Sequence, residues 1–211
     1  MSAIVVSGMW RTGTSLTMLI LDSLGIPLIY DPSETFPEGN PTEVYEEKYC
    51  MVKSETSFPL EDGKGIKIFL RYLFIERDGL DSAKVLLCVR NPKDFAVSRK
   101  LGFTKETRAE ATKAIKAGDS IDPWDYSELY SEFLEKKDVL DYLVVDYDQT
   151  VDCKNHETIL KFLEMDTSDE NIKKIEGCID VDRRRSTFFS KWNKENDAEK
   201  VYDKMMELTN V

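Results

Sequence analysis

The sequence predicts an α/β fold, a parallel β-sheet with helices on both faces, and three observations carry that prediction. Continuous apolar runs recur along the chain, segments with apolar residues three or four apart lie between them, and a glycine-bearing loop joins the first run to the first such segment. The runs are AIVVS at 3–7, IKIF at 66–69, KVLLCV at 84–89 and YLVVDY at 142–147. They lack the apolar–polar alternation of half-exposed strands, as expected of strands buried on both faces of a parallel sheet. The helical segments are TSLTMLILDSL at 14–24, PKDFAVSRK at 92–100, KETRAEATKAIKAG at 105–118 and HETILKFLEM at 156–165. These read as crossover and flanking helices. Residues 25–42 hold four of the seven prolines and are long for a connection, which makes them a candidate functional loop. After Leu163 the chain is polar, helical in pattern, and carries Arg183, Arg184 and Arg185.

A length of 211 residues suits one domain spanning 1–211. Apolar residues at 41% and charged residues at 33% are the proportions of a soluble globular protein. With 29 Lys and Arg against 40 Asp and Glu, the net charge of −11 repels phosphate backbones and anionic lipid. General nucleic-acid or membrane binding is therefore not expected, although one local basic pocket for a small anion is compatible with this balance. Cys50, Cys88, Cys153 and Cys178 are scattered without metal-type close pairing, and MSAIVVSGMW has no basic leader region. Four reduced thiols, with Cys88 in a core strand, and a cytoplasmic location are expected. The longest apolar stretch is broken by Asp22, Gly25 and Pro27 and is too short to span a bilayer.

The sharpest local signal is the run AIVVS, then GMWRTGTS, then a helix. Gly8 and Gly13 at a strand-to-helix turn let backbone amides converge on an anion, and the helix opening at Thr14 and Ser15 adds its positive dipole end. This is a phosphate cradle of the P-loop nucleotide-binding type. A Walker A loop would place a lysine where Thr14 stands, so a nucleoside triphosphatase is disfavoured. The cation is instead Arg11, two residues before Gly13 and placed to lean over whatever leaves the phosphate. A glycine turn with a surface arginine is the alternative. Farther on, KVLLCVRNPKDFAVS puts Arg90 at a strand's carboxyl end, where ligands of open α/β sheets bind, and Ser98 on the helix starting at Pro92. An arginine fork and a serine hydroxyl could grip one phosphate together. For Arg90, a strand-end salt bridge to Asp94 is the alternative.

WRTGTS at 10–15 resembles the 5′-phosphosulfate loop of the sulfotransferases that use 3′-phosphoadenosine 5′-phosphosulfate (PAPS), most nearly the bacterial and phage-type members beginning G-M-x-R-S-G-T-S-L. Thr12 replaces the usual serine and keeps its hydroxyl. Arg90, Pro92 and Ser98 match the second family signature, R-x-P-x-x-x-x-x-S. The resemblance implies that Gly8, Arg11, Thr12, Gly13, Thr14 and Ser15 hold the 5′ end of PAPS, and that Arg90 and Ser98 hold its 3′-phosphate. NPTEVYEE at 40–47 is similar to the N-P-x-G-x-x-E segment that follows the first helix in bacterial members, with Glu43 in place of the glycine. DYLVVDYDQT resembles a later strand ending near Tyr-Glu-Asp-Leu, with Asp148 standing for the glutamate. IDVDRRRSTFF loosely matches the arginine-bearing stretch that closes over the 3′-phosphate, which brings in Arg184 and Arg185, with Arg183 as an alternative.

Sulfuryl transfer needs a nucleophilic oxygen, a sulfur held in line with it and cations on the departing phosphate, and it requires no metal. Animal cytosolic members carry a histidine after the second strand, where this chain has Phe69. The sole histidine, His156, reads as a helix-surface residue. A carboxylate must then be the base. Glu46 is the choice from its place in the NPTEVYE match, with Glu34 and Glu47 as alternatives. Lys67 corresponds to the lysine that family members carry on the second strand, facing the sulfonate, and a lysine on so apolar a strand is expensive to bury without a partner.

The expected activity is transfer of a sulfonate from PAPS to a hydroxyl or amine of a small-molecule or glycan-like acceptor. Residues 103–130 and the loop 25–42 would line the acceptor pocket, with Trp124, Tyr126 and Phe36 as walls. Two other readings share the cradle. One is a small-molecule kinase using ATP and magnesium, and the other is a noncatalytic nucleotide-binding module.

Overall fold

The computed structural model describes residues 1–29, 51–52, 60–74, 79–100, 126–179 and 197–210. The strands among these residues are β1 (Ile4–Gly8), β2 (Leu28–Ile29), β3 (Met51–Val52), β4 (Gly65–Phe69), β5 (Lys84–Val89) and β6 (Asp141–Asp146). All pair in parallel in the order β2-β4-β1-β5-β6, with the short β3 also on β4. Every strand of a parallel sheet ends on the same edge. The chain leaves β1 for β4 on one side and then crosses to β5 on the other, so the edge beyond Gly8 is the topological switch point, where such sheets open a crevice. In register, Gly8 lies beside both Phe69 and Cys88, and Val6 beside Lys67.

The helices are α1 (Thr14–Ser23), α2 (Pro92–Lys100), α3 (Tyr126–Lys136), α4 (Tyr147–Val151), α5 (His156–Phe162), α6 (Asp169–Glu176) and α7 (Asp197–Glu207). They cover both faces, as expected. Val5, Ile68, Val85 and Leu87 pack with Phe95 of α2, with Tyr130 and Phe133 of α3, and with Val201 and Met205 of α7. Ile4, Val6, Leu86 and Cys88 face Met18 and Leu21 of α1, Ile159 and Leu160 of α5, and Ile175 of α6. All five residues of β1 are buried, which is why its sequence shows no polar alternation. Each such buried aliphatic side chain contributes roughly 1.5–3 kcal/mol by removal from water.

The four predicted strands stand within one residue of their expected ends. The expected run to Tyr147 stops at Asp146, because that carboxylate accepts the Gln149 N–H at 2.9 Å and starts α4. The expected helix at 14–24 closes at Ser23, where Gly25 turns left-handed at φ 82° and the Ile26 N–H reaches back to Leu21 O at 3.0 Å. The helix expected at 156–165 closes the same way at Phe162, with Glu164 at φ 56° and Met165 N–H on Leu160 O at 2.9 Å. The segment 105–118 lies outside the described residues. Helix α3 falls where pocket lining was expected, and its buried Tyr126, Leu129, Tyr130 and Phe133 form one apolar helical stripe. Among the described residues no helix is long and apolar enough to cross a membrane.

Candidate functional site

The loop from Met9 to Gly13 is built by backbone that few side chains tolerate. Gly8 takes φ 153°, Arg11 φ 72° and Gly13 φ 100°. A Cβ on Gly8 would lie 2.7 Å from Cys88 O and 2.8 Å from Thr12 Oγ1, and a Cβ on Gly13 would lie 2.8 Å from Cδ2 of Tyr147. Both glycines are therefore required by closeness as well as by φ. The buried Thr12 hydroxyl donates to Met9 O at 2.7 Å and pins the loop from within. The conservative Ser-to-Thr difference from the family loop thus keeps its hydroxyl in use.

Helix α1 begins at Thr14 with no side-chain cap and no acidic residue in its first turn. Its opening amides and positive dipole end are left for an anion. Lys67, buried at 4% exposure on β4, extends its Nζ to within 3.3 Å of Ser15 Oγ in that first turn. Arg11 Nε donates to Ser98 Oγ of α2 at 3.2 Å, and the buried Arg90 donates through Nη1 to the carbonyl of Arg11 at 3.2 Å. In a chain of net charge −11, three cations and a helix N-terminus gather on one sheet edge. Cations brought together repel one another, and a multiply charged anion among them relieves that repulsion.

Three tyrosines hold this edge in shape. The Tyr147 ring lies under the Arg90 guanidinium at 4.2 Å while its edge abuts Gly13, so one side chain buttresses both halves of the site. The Tyr130 hydroxyl donates to Cys88 O at 2.6 Å and accepts the Met9 N–H at 3.5 Å, tying the start of the loop to β5. The Tyr126 hydroxyl donates to Arg90 O at 2.9 Å, which fixes the backbone that carries that arginine. Burial holds the Tyr126 and Tyr130 phenols well above their ordinary range, so they remain donors. Cys88, buried against Thr17 Oγ1 at 3.2 Å, has its thiol pushed up to about 12 by burial and stays protonated at neutral pH. Trp10 stands exposed at the lip, its ring 5.6 Å from that of Phe69.

Gly8, Arg11, Thr12, Gly13, Thr14, Ser15, Lys67, Arg90 and Ser98 are thus brought to one edge of the sheet. Glu46, Glu34 and Glu47 lie outside the described residues, as do Arg183, Arg184, Arg185, Trp124 and Phe36. Two expectations are corrected. Tyr126 is no pocket wall: it is fully buried, packed between Phe95 and Tyr130 at ring distances of 5.3 and 4.6 Å. His156 is no surface residue: it is 3% exposed, because the first turn of α5 folds under the α4–α5 connection, where its Nε2 meets Thr150 O at 2.9 Å. Of the buttressing tyrosines, Tyr130 and Tyr147 were not singled out from sequence, and Tyr126 was expected only as a pocket wall. Tyr147 carried one available signal, an aromatic residue immediately beyond a core strand.

The sequence matches no protein-family model and no curated protein. Among solved structures the fold is similar to that of mouse sulfotransferase SULT7A1 complexed with PAP, with a TM-score of 0.52 at 18% identity over 90% of this chain and 68% of that one. Retinol dehydratase in complex with retinol and PAP gives a TM-score of 0.48 at 18% identity, covering 99% of this chain and 82% of that one. Its complex with androsterone and PAP gives 0.46 at 17% identity, covering 98% and 78%. At such identities the likeness is one of fold, a parallel α/β sheet of P-loop type.

Proposed function

We propose that this chain transfers a sulfonate group from PAPS to a hydroxyl or amine of a small-molecule or glycan-like acceptor. The observation that carries this reading is the convergence of Arg11, Arg90 and Ser98 on a glycine cradle whose Walker lysine position is held by Thr14. A nucleotide with phosphate groups at both ends of its ribose fits two adjoining anion sites, one at the α1 amides and one at Arg90 and Ser98. Support for the nucleotide comes also from the fold neighbour SULT7A1, which is complexed with PAP. PAP, adenosine 3′,5′-bisphosphate, is what remains of PAPS once the sulfonate has left.

In this reading the cradle amides and the Thr14 and Ser15 hydroxyls hold the 5′-phosphosulfate, and Arg184 and Arg185 close over the 3′-phosphate. Glu46 accepts the proton of the acceptor as its oxygen or nitrogen attacks sulfur in line with the departing phosphate oxygen. The sulfur–oxygen bond to PAP breaks in the same step. Negative charge then grows on the bridging oxygen, and Arg11 and Lys67 lie on the edge where it must be neutralised. A lysine reaching α1 from β4 supplies the charge that a Walker lysine would supply from the helix itself. No metal is needed for this transfer.

A thermal-shift comparison of PAPS, PAP and ATP with magnesium tests the reading. PAP at about 100 times its Kd should stabilise the protein by roughly 2.7 kcal/mol, with ATP far behind. Equal or greater stabilisation by ATP would replace the proposal by a kinase. Binding of PAPS with no turnover on any acceptor would make the chain a noncatalytic module.

A further inference from the structure

Away from the nucleotide edge, the turn joining α4 to α5 and the end of α6 bring together three side chains that no step of the proposed transfer uses. A ring nitrogen of His156, the Cys153 sulfur and a carboxylate oxygen of Glu176 all lie within 4.8 Å of one another. Cys153 and His156 stand in the spacing C-x-x-H. Cys153 takes a left-handed φ of 59°, which β-carbon-bearing residues seldom adopt, and its thiol is in no disulfide and makes a long contact to Val151 O at 3.9 Å.

The histidine supplies the second, independent observation. Its Nε2 is 2.9 Å from the carbonyl of Thr150, and a carbonyl only accepts, so Nε2 carries the proton. A neutral ring with that tautomer has its lone pair on Nδ1. That atom is buried and has no hydrogen-bond partner, in a residue only 3% exposed. Buried polar atoms are almost always satisfied, and an imidazole with one nitrogen held by a backbone carbonyl and the other left as a bare lone pair has the arrangement of a metal ligand. The turn is also fixed in advance. Thr150 Oγ1 donates to Asp146 O at 2.9 Å and accepts from Asn155 Nδ2 at 2.9 Å, and the Lys154 N–H bonds to Gln149 O at 2.8 Å.

From this geometry we infer a zinc-type site formed by Cys153 Sγ, His156 Nδ1 and a Glu176 carboxylate oxygen. A thiolate, an imidazole and one carboxylate suit a borderline-soft divalent ion, whereas magnesium and calcium prefer oxygen donors alone. Tetrahedral bonds of about 2.0–2.3 Å place ligand atoms roughly 3.3–3.7 Å apart. The widest separation therefore needs to close by roughly 1.1–1.5 Å, and the two ligands that would move, Cys153 and Glu176, are both exposed side chains. Three protein ligands leave the fourth position to water. Bound there, the ion would staple the end of α6 to the turn after α4, the helix that begins with Tyr147. The thiol proton is released on binding, so affinity rises with pH.

The test is titration of the metal-stripped, fully reduced protein with cobalt(II) and with zinc(II). One cobalt per chain should bind with a thiolate-to-metal charge-transfer absorption in the near ultraviolet, and zinc should displace it. Cys153→Ser should abolish that band and weaken zinc binding by more than about 100-fold, while Cys50→Ser and Cys178→Ser leave both unchanged. Glu176→Gln should weaken zinc without removing the band. As exposed positions, 153 and 176 can be changed without the folding risk of replacing His156, and circular dichroism of each variant checks this. A band that survives Cys153→Ser, a band lost with Cys178→Ser, or no stoichiometric binding by the wild-type protein would each overturn the site. None of these readouts depends on sulfonate transfer.

Discussion

The Arg11 guanidinium donates through Nε to the Ser98 hydroxyl at 3.2 Å, across 87 residues of sequence. Arg11 belongs to the glycine loop after β1 and Ser98 to the helix after β5, so the contact joins the two segments that each bind phosphate in the proposed reaction. Arg90, reaching back to the carbonyl of Arg11, makes the junction reciprocal.

Removal of the side of this junction that follows β5 should weaken nucleotide binding selectively. Arg90→Ala is expected to cost on the order of 2 kcal/mol or more in PAP affinity, and Ser98→Ala less. Isothermal titration with PAP and with the analogue lacking the 3′-phosphate is the check. Both variants should lose discrimination between the two ligands; full retention of it would remove these residues from the 3′-phosphate site.

Arg11→Ala and Glu46→Gln should lower turnover far more than they lower PAPS binding, because both act on charge that moves during the transfer. Losing a charge-stabilising donor costs about 10² to 10³ in rate, and losing a general base about 10² to 10⁴. Steady-state kinetics separates this from a binding role, which would raise KM and leave kcat nearly intact. If Glu34→Gln is the damaging change instead, the base passes to Glu34.

Gly13→Ala should destabilise the fold by about 1–3 kcal/mol and weaken nucleotide binding, since the added Cβ meets Tyr147 at 2.8 Å and φ is 100°. Tyr147→Ala removes the clash but not the backbone cost. In urea denaturation the double variant should therefore be more stable than the sum of the two single changes implies. Strict additivity would mean that the ring and the loop do not press on each other.

Asp146 accepts the Gln149 N–H at 2.9 Å and the Tyr202 hydroxyl at 2.8 Å, and burial raises its carboxyl above the ordinary value of 3.8. The folded state thus holds that proton more tightly than the unfolded chain does. The resulting stability is fully present below the ordinary carboxylate value and is lost as pH rises through the raised one. Asp146→Asn keeps a cap oxygen for Gln149 and has no such dependence. The stability of Asp146→Asn relative to wild type should therefore increase between about pH 3 and pH 7. A flat difference across that range would show that Asp146 titrates as it does in the unfolded chain.

Much of the architecture was legible because local rules and the fold agree. Unbroken apolar runs such as Ile4–Val6 and Val85–Val89 fit strands buried on both sides, which points to a parallel sheet under helices. Gly8 and Gly13 announced the cradle because no other residue meets those backbone angles at such close approach. Arg90 was readable as a strand-end cation and Ser98 as its helical neighbour. The two-residue strands β2 and β3 were not, since so short a stretch has no periodicity and takes its conformation from β4 beside it.

The layer architecture, the glycine loop after β1 and the absence of a Walker lysine are thus each a property of neighbouring residues. Which distant side chains meet at the sheet edge depends instead on the order in which the strands pair. Lys67 meets Ser15 because β4 lies beside β1, and Tyr147 lies under Arg90 because β6 ends beside β5. Tyr126 and His156 are buried for the same kind of reason. Exposure is set by what packs over a residue: Phe95 of α2 lies on the Tyr126 ring and the end of α6 lies beside His156, adding to the local cover that Tyr130 and the turn after Thr150 give.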